Sequence, residues 1–259
     1  MMQKQKIVAI IQARMTSSRL PEKVLIDIAG FPMLYHVIKR VSSAKLLDQV
    51  VVATTNDPAD DLIEEFCNSN SQNCFRGHPY DVLDRYYQAA LQFEADIIVR
   101  ITADCPIMDP SLIDSLIQSF LESEVDFAAN RLPPPWKRTY PIGLDIEIVR
   151  FKALEKAWQE AKSQFEREHV MPYLYDRPGR FKILLSHHEP DYGEKRWTVD
   201  TPQDLELINK IFDHFFPRIE FSWLEVIDLF KSNPDLEKIN TGINAKNVVD
   251  VDNRYITNK

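Results

Sequence analysis

The chain has 259 residues, of which 44% are apolar and 27% charged, with only six glycines, so it can bury a substantial core and is not a low-complexity protein. Its formal net charge of −8 argues against broad electrostatic attachment to nucleic acid or an anionic membrane, while leaving room for a small basic pocket. Cys67, Cys74 and Cys105 lack the paired CxxC spacing of structural zinc or redox sites and read as reduced thiols.

At the start, MMQKQKIVAIIQARM places lysines before a short apolar run that Gln12 and Arg14 interrupt well short of a signal peptide's core. No stretch approaches the ~20 apolar residues of a membrane span, so a cytoplasmic protein without a membrane partner is expected. The run Ile7 to Ile11 reads instead as a buried first strand. Pro32 to Ser42 reads as a helix with Leu34, Val37, Ile38 and Val41 on one face, and Val50 to Thr54 as the next strand. Asn56-Asp57-Pro58 then supplies a capping side chain and an N1 proline for a helix over Ala59 to Cys67. Tyr80 to Phe93 reads as a helix, Asp96 to Ile101 as an apolar strand, and Asp109-Pro110 as the capped start of a helix running to about Glu122. This alternation predicts an α/β fold with a mostly parallel sheet and helices on both faces.

The alternation breaks after Val125 to Ala129, because Asn130 to Pro141 contains a PPP run that no central strand or helix tolerates. We expect a single domain over 1–259, with a lid or arm inserted at about 130–180 and a peripheral tail from about 232. Gly143 to Val149 is a strand candidate, Lys152 to Lys162 and Glu166 to Tyr175 are helical, and Phe181 to Leu185 is again a strand. Arg196 to Val199 runs directly into Thr201-Pro202-Gln203-Asp204, a capped helix start with an N1 proline and an acidic N3 residue.

Chemistry concentrates after the first strand, where Ile10 to Leu25 reads IIQARMTSSRLPEKVL and holds Arg14, Thr16, Ser17, Ser18, Arg19 and Lys23. Polyphosphate binding needs cations and exposed backbone N–H groups, and a strand-to-loop junction brings both together. Composition alone leaves a solvated basic loop equally open. The segment matches neither GxxxxGKS/T nor GxGxxG, so side chains would hold phosphates as much as bared backbone does. In a parallel sheet, ligands sit beyond the carboxyl ends of the strands, which makes Arg14 and Asp104 expected neighbours. Asp104 and Asp200 are then candidates for holding Mg²⁺ through hard oxygen ligands; each taken alone could equally cap a turn or a helix.

Taken together, IIQARMTSSRLPEKVL, RITADCPIMDP and WTVDTPQDLELI resemble the nucleotidyltransferases that make CMP-sugar acids, the acylneuraminate and 3-deoxy-manno-octulosonate cytidylyltransferases. Within that group the chain is most similar to the spore-coat polysaccharide biosynthesis protein F family, from about Ile7 to Leu207, with DVLDRYYQAA, PIGLDIEIV and EREHVMPYL adding to the match. The resemblance implies a nucleotide-diphospho-sugar transferase fold, Rossmann-like with a mixed sheet, and transfer of CMP from CTP to a sugar acid with release of pyrophosphate. It implies that Arg14 and Lys23 contact the triphosphate, that Gln12 and Ala13 backbone lines the nucleotide with Ser17 assisting, and that Asp104 and Asp200 hold Mg²⁺. Arg76 and Gly77 lie where relatives place nucleotide-contacting residues, and a homodimer formed through an arm is also implied. The chain departs from the family at Glu22, where glycine is common, and at Val24, where acylneuraminate enzymes have asparagine.

At the sugar end, Asp145 and Glu147 alternate to one face of the expected strand and would bind sugar hydroxyls or a second metal, unless they are two carboxylates on a solvated face. Arg131, Lys137 and Arg138 are candidates to meet a sugar carboxylate. His169, His187, His188 and the four tryptophans read as packing or partnered residues. Two other readings remain open: a metal-dependent glycosyltransferase using a nucleotide sugar, and a non-catalytic nucleotide-binding relative.

Overall fold

A computed structural model describes residues 4–243. In chain order it contains β1 (Ile7–Gln12), β2 (Asp27–Ile28), β3 (Phe31–Pro32), α1 (Met33–Ser42), β4 (Gln49–Thr55), α2 (Asp61–Ser69), β5 (Asn73–Gly77), α3 (Val82–Gln92), β6 (Ile97–Thr102) and α4 (Pro110–Glu122). There follow β7 (Phe127–Ala129), β8 (Glu147–Arg150), α5 (Phe151–Glu160), α6 (Gln164–His169), α7 (Pro172–Tyr175), β9 (Ile183–Leu185), α8 (Pro202–Phe215) and α9 (Trp223–Ser232).

Seven strands form one sheet in the order β5-β4-β1-β6-β8-β7-β9, parallel except where β8 runs against both β6 and β7. Strand residues alternate between two buried layers, as expected of a sheet covered on both faces. Ile7, Ala9 and Ile11 of β1 pack into a core with α1, α4, α8 and α9, whereas Val8 and Ile10 pack into a second core with α3, α5 and α7. Where a strand is buried on both faces, period-two alternation disappears and a continuous apolar run is left, which is why IVAII was legible as β1.

Helix starts follow their caps. Asp109 accepts from Ser111 N–H and precedes Pro110, and Thr201 and Asp204 form a reciprocal capping box at α8 with Pro202 at N1. Asp57 caps a 3₁₀ turn over Pro58–Asp60, so α2 begins at Asp61 and not at Ala59.

Other expectations need correction. The expected helix Glu166 to Tyr175 is two short helices, interrupted where Val170 adopts φ +71°. Of the 130–180 span, α5 and α7 supply Leu154, Ala157, Leu174 and Tyr175 to the second core, so these two helices pack as a layer of the body. The strand at Gly143 to Val149 begins only at Glu147, because Ile142 and Gly143 run beside Arg196 and Trp197 instead. An added Cβ on Gly143 would lie 2.6 Å from Thr198 N, and φ is +105°, so only glycine fits this crossing. The tail expected from 232 starts with a 3₁₀ turn at Pro234–Lys238; residues 244–259 lie outside the described residues. No described helix is long and apolar enough to cross a membrane, and all three cysteines are free.

Candidate active site

The carboxyl ends of β1 and β6 and the entrance to α8 enclose a cavity of about 220 Å³, lined by Gln12, Arg14, Thr16, Ser17, Ser18, Arg19, Lys23, Val24, Thr102, Ala103, Asp104 and Asp200. The loop that forms its basic wall leaves β1 and closes on itself: Ser17 N–H and Glu22 N–H both donate to Met15 O at 3.0 Å. A buried carboxylate fixes its root, since Asp60 accepts from Met15 N–H at 2.7 Å and from Thr55 N–H at 3.1 Å. Glu22 then takes a left-handed conformation, φ +59°, with its side chain exposed, and turns the chain inward into a 3₁₀ turn at Lys23–Leu25. Such a backbone favours glycine, and the exposed Glu22 does not line the cavity.

Lys23 is nearly buried, and its ammonium bridges the two acidic residues. Nζ donates to Asp104 Oδ2 at 2.9 Å, to Asp200 Oδ1 at 2.8 Å and to Val199 O at 2.8 Å. Burial alone would lower the lysine pKa, but the charges and hydrogen bonds of Asp104 and Asp200 outweigh it and raise it above the ordinary value. Burial likewise pushes the Asp104 carboxyl up, whereas Lys23 and the Thr102 hydroxyl pull it down more strongly, to about 2.

The two aspartates arrive differently. Asp104 follows β6 directly, its Oδ1 accepting from Thr102 Oγ1 at 2.6 Å. Asp200 does not cap α8, as Thr201 does so. A polar scaffold holds it instead: Arg196 Nη2 donates to Asp200 Oδ2 at 2.9 Å and Arg196 Nε to Asp204 Oδ1 at 2.9 Å. Asp204, fully buried, also accepts from Asn240 Nδ2 at 2.9 Å and from Asp200 N–H at 3.1 Å. Arg19 reaches the same Asp200 Oδ2 at 2.8 Å. In the sequence Arg19 is one of the cations of the candidate phosphate loop with no link to Asp200, and Arg196 has no role at the site. The signal for Arg196 was the WTVDTPQD context, in which it precedes Asp200 by four residues and Asp204 by eight.

Gln12, Arg14, Ser17, Lys23, Asp104 and Asp200 are therefore brought to one cavity. Others are not. Ala13 is buried and does not line it; its N–H donates to Ala53 O at 3.1 Å, while Gln12 O accepts from Ala103 N–H at 3.0 Å, so these two groups are spent on neighbouring strand ends. Arg76 lies on edge strand β5 and binds Thr55 O at 2.9 Å, Asp57 O at 2.9 Å, Asp61 at 2.7 Å and Glu64 at 2.8 Å. Its guanidinium staples β4 to α2 and does not line the cavity. Gly77 makes room for its neighbours, since a Cβ there would meet the Phe75 ring at 2.8 Å.

Asp145 precedes β8 and is gripped by Arg138. Glu147 lies opposite Arg100 in the β6/β8 ladder and is ion-paired to it. The two carboxylates thus have separate cationic partners. Lys137 pairs with Asp191 at 2.9 Å. Arg100 in turn reaches Gln12 Oε1 at 3.4 Å, which turns the amide of Gln12 into an extension of this buried pair.

The donor set suits a hard divalent cation: two carboxylates meet at a single ammonium, beside a backbone carbonyl. Among the described residues no three of His, Cys, Asp or Glu converge into a metal cage. A cation here would depend on phosphate oxygens and water for its remaining ligands, which is how Mg²⁺ is commonly held.

Comparison with known proteins gives three kinds of match. A family model described as cytidylyltransferase matches residues 8–233. Among curated proteins, the chain is 37% identical to an uncharacterized protein of Methanocaldococcus jannaschii over 95% of this chain and 99% of that one. It is 33% identical to the spore coat polysaccharide biosynthesis protein SpsF of Bacillus subtilis over 88% of this chain and 95% of that one. A 3-deoxy-manno-octulosonate cytidylyltransferase of Geobacter sulfurreducens is 38% identical over 45% of this chain and 46% of its own. Among solved structures, a cytidylyltransferase from Leptospira borgpetersenii superposes with a TM-score of 0.86 at 34% identity, covering 93% of this chain and all of that one. A CMP:2-keto-3-deoxy-manno-octonic acid synthetase solved with CTP shares the fold, with a TM-score of 0.63 at 22% identity over 81% of this chain and 99% of its own.

Proposed function

This chain belongs to the cytidylyltransferase family, and on that premise we propose that it transfers CMP from CTP to a sugar acid, with release of pyrophosphate, in the synthesis of a surface polysaccharide. The observation that carries the reading is the cavity itself, where a basic loop carrying Arg14, Arg19 and Lys23 faces a carboxylate pair across a few ångströms. An acceptor that is itself anionic must approach a triphosphate, so the chemical problem is charge. The arrangement addresses charge with fixed cations more than with proton transfer.

Arg14, Arg19 and the hydroxyl of Ser17 would line the triphosphate. A sugar hydroxyl attacks the α-phosphorus in line; the new P–O bond forms as the bond to the β-phosphate oxygen breaks, pyrophosphate leaves, and the hydroxyl proton passes to solvent. Arg14 and Lys23 stabilise the charge that accumulates on the leaving group. A divalent cation held by Asp104 and Asp200 would supply further neutralisation of the phosphate oxygens.

Pyrophosphate release from each of the four nucleoside triphosphates, measured against a panel of sugar acids, tests the reading. Release with CTP and a keto sugar acid alone is expected. Turnover of a UDP-sugar, or no release with any pair, would overturn it.

A further inference from the structure

Every carboxylate oxygen of the acidic pair already has a protein donor. Asp104 Oδ1 accepts from Thr102 at 2.6 Å and Asp200 Oδ2 from Arg196 at 2.9 Å and Arg19 at 2.8 Å. The two remaining oxygens, Asp104 Oδ2 and Asp200 Oδ1, share one partner, the Lys23 ammonium, at 2.9 and 2.8 Å. A single Lys23 ammonium thus touches both aspartates. A cation that engages both of these oxygens at the ~2.1 Å expected of Mg²⁺ would sit in the space between the carboxylates that Nζ now bridges, against a full positive charge. The same lysine is the residue whose charge the proposed reaction needs on the triphosphate side of the cavity. It cannot serve both positions at once.

We propose that Lys23 is an exchangeable occupant of the Asp104–Asp200 pair: it holds the cation position in the nucleotide-free chain and vacates it for the triphosphate, so that metal and nucleotide binding are positively coupled. The inference rests on the functional reading above and adds an order to it. In the free chain Lys23 neutralises two neighbouring carboxylates that would otherwise repel one another. A triphosphate offers Nζ an alternative anion, and the lysine's departure bares two oxygens. Coupling is reciprocal by thermodynamic necessity, so whatever factor nucleotide adds to metal affinity, metal adds to nucleotide affinity. The exchange also keeps the pair from collecting a free divalent ion when no nucleotide is present.

The test uses the full chain stripped of metal by chelation, with Mn²⁺ alone as the probe and binding followed by electron paramagnetic resonance. Lys23→Met is expected to bind Mn²⁺ ~10-fold or more tighter than wild type without any nucleotide, a factor within the usual range of such couplings, and adding Asp104→Asn should abolish the gain. Mn²⁺ affinity in Lys23→Met equal to or weaker than wild type would overturn the proposal. Because removing a nearly buried cation can unfold the protein, a second measurement uses wild type alone. The ¹⁵N resonance of the Lys23 ammonium should be protected in the free chain and move on addition of CTP with Mg²⁺; an unmoved, still protected resonance would also overturn it. Pyrophosphate release from CTP separates the two claims, since a chain that turns CTP over with an unmoved Lys23 refutes the exchange and leaves the function standing. If Lys23→Met shows the Mn²⁺ gain while the wild-type chain turns over no CTP, the exchange stands and the function falls.

Discussion

Asp104 and Asp200 meet at one ammonium, yet the fold places them by different means. Asp104 stands where a central parallel strand ends, and its neighbour Ala103 continues the ladder by donating to Gln12 O at 3.0 Å. Asp200 belongs to no strand. Its position is assembled from Arg196, Asp204, Asn240 and the crossing of Gly143 beneath Trp197 and Thr198. One carboxylate inherits its place from sheet topology, while the other depends on side chains and one glycine spread over a hundred residues of sequence. The two halves are laced together by Val199 N–H and Thr198 Oγ1, which donate to Asp104 O at 2.9 and 3.2 Å.

If that contrast is right, removing either charge should damage the reaction equally, whereas weakening the supports should reach Asp200 alone. Asp104→Asn and Asp200→Asn are each expected to lower pyrophosphate release by a factor on the order of 10²–10³, the cost of losing one preorganised electrostatic contact; steady-state kinetics with CTP will show it. Arg196→Met strikes the scaffold. It strands the buried Asp204 carboxylate, and breaking such a pair costs about 3 kcal/mol or more, visible as a lower denaturant midpoint with an unchanged m-value. A stability loss under 1 kcal/mol would mean that Asp200 is held by something else.

Gly143→Ala sharpens the comparison further, because it touches no charged group. Its Cβ would sit 2.6 Å from Thr198 N at a φ of +105°, and strain of this kind costs about 2 kcal/mol. Calorimetry should report the loss, and activity should fall with it because the displaced segment carries Asp200. Glu22→Gly is the opposite case: another left-handed residue, but on an exposed turn of the loop that carries Lys23. Relief of left-handed strain, partly offset by the freer unfolded chain, should stabilise the protein by at most about 1 kcal/mol. A destabilising Glu22→Gly would show that the carboxylate has a structural partner.

The same contrast governs how much the amino-acid sequence discloses. Strands β1, β4 and β6 are short apolar runs between capped helices, and capping signals at Asp109 and Thr201 mark the starts of α4 and α8 closely. Topology then puts Arg14 beside Asp104 without knowledge of any side-chain contact. Edge strand β5, NCFRG, has no apolar alternation and owes its existence to pairing with β4, so Arg76 and Gly77 could not be separated from the cavity by pattern alone. Glu147 illustrates the same limit: its partner Arg100 is 47 residues away, and only the antiparallel register of β6 with β8 sets them opposite. Helix α9 was legible in principle, since Ser222 and Glu225 form a capping box before an apolar stretch. The scaffold around Asp200 was not, because Arg196 and Asn240 belong to no periodic element, and Asp204, legible as the N3 residue of α8, carries no sequence signal of its pairing with them.

The most direct measurement is a crystal structure of the full chain with CTP and Mn²⁺, read by anomalous scattering. The account predicts a manganese peak shared by Asp104 and Asp200, with Lys23 Nζ moved from the carboxylates onto a phosphate oxygen and Arg14 beside the triphosphate. A peak elsewhere, with Lys23 still bridging the two aspartates while CTP is bound, would contradict it.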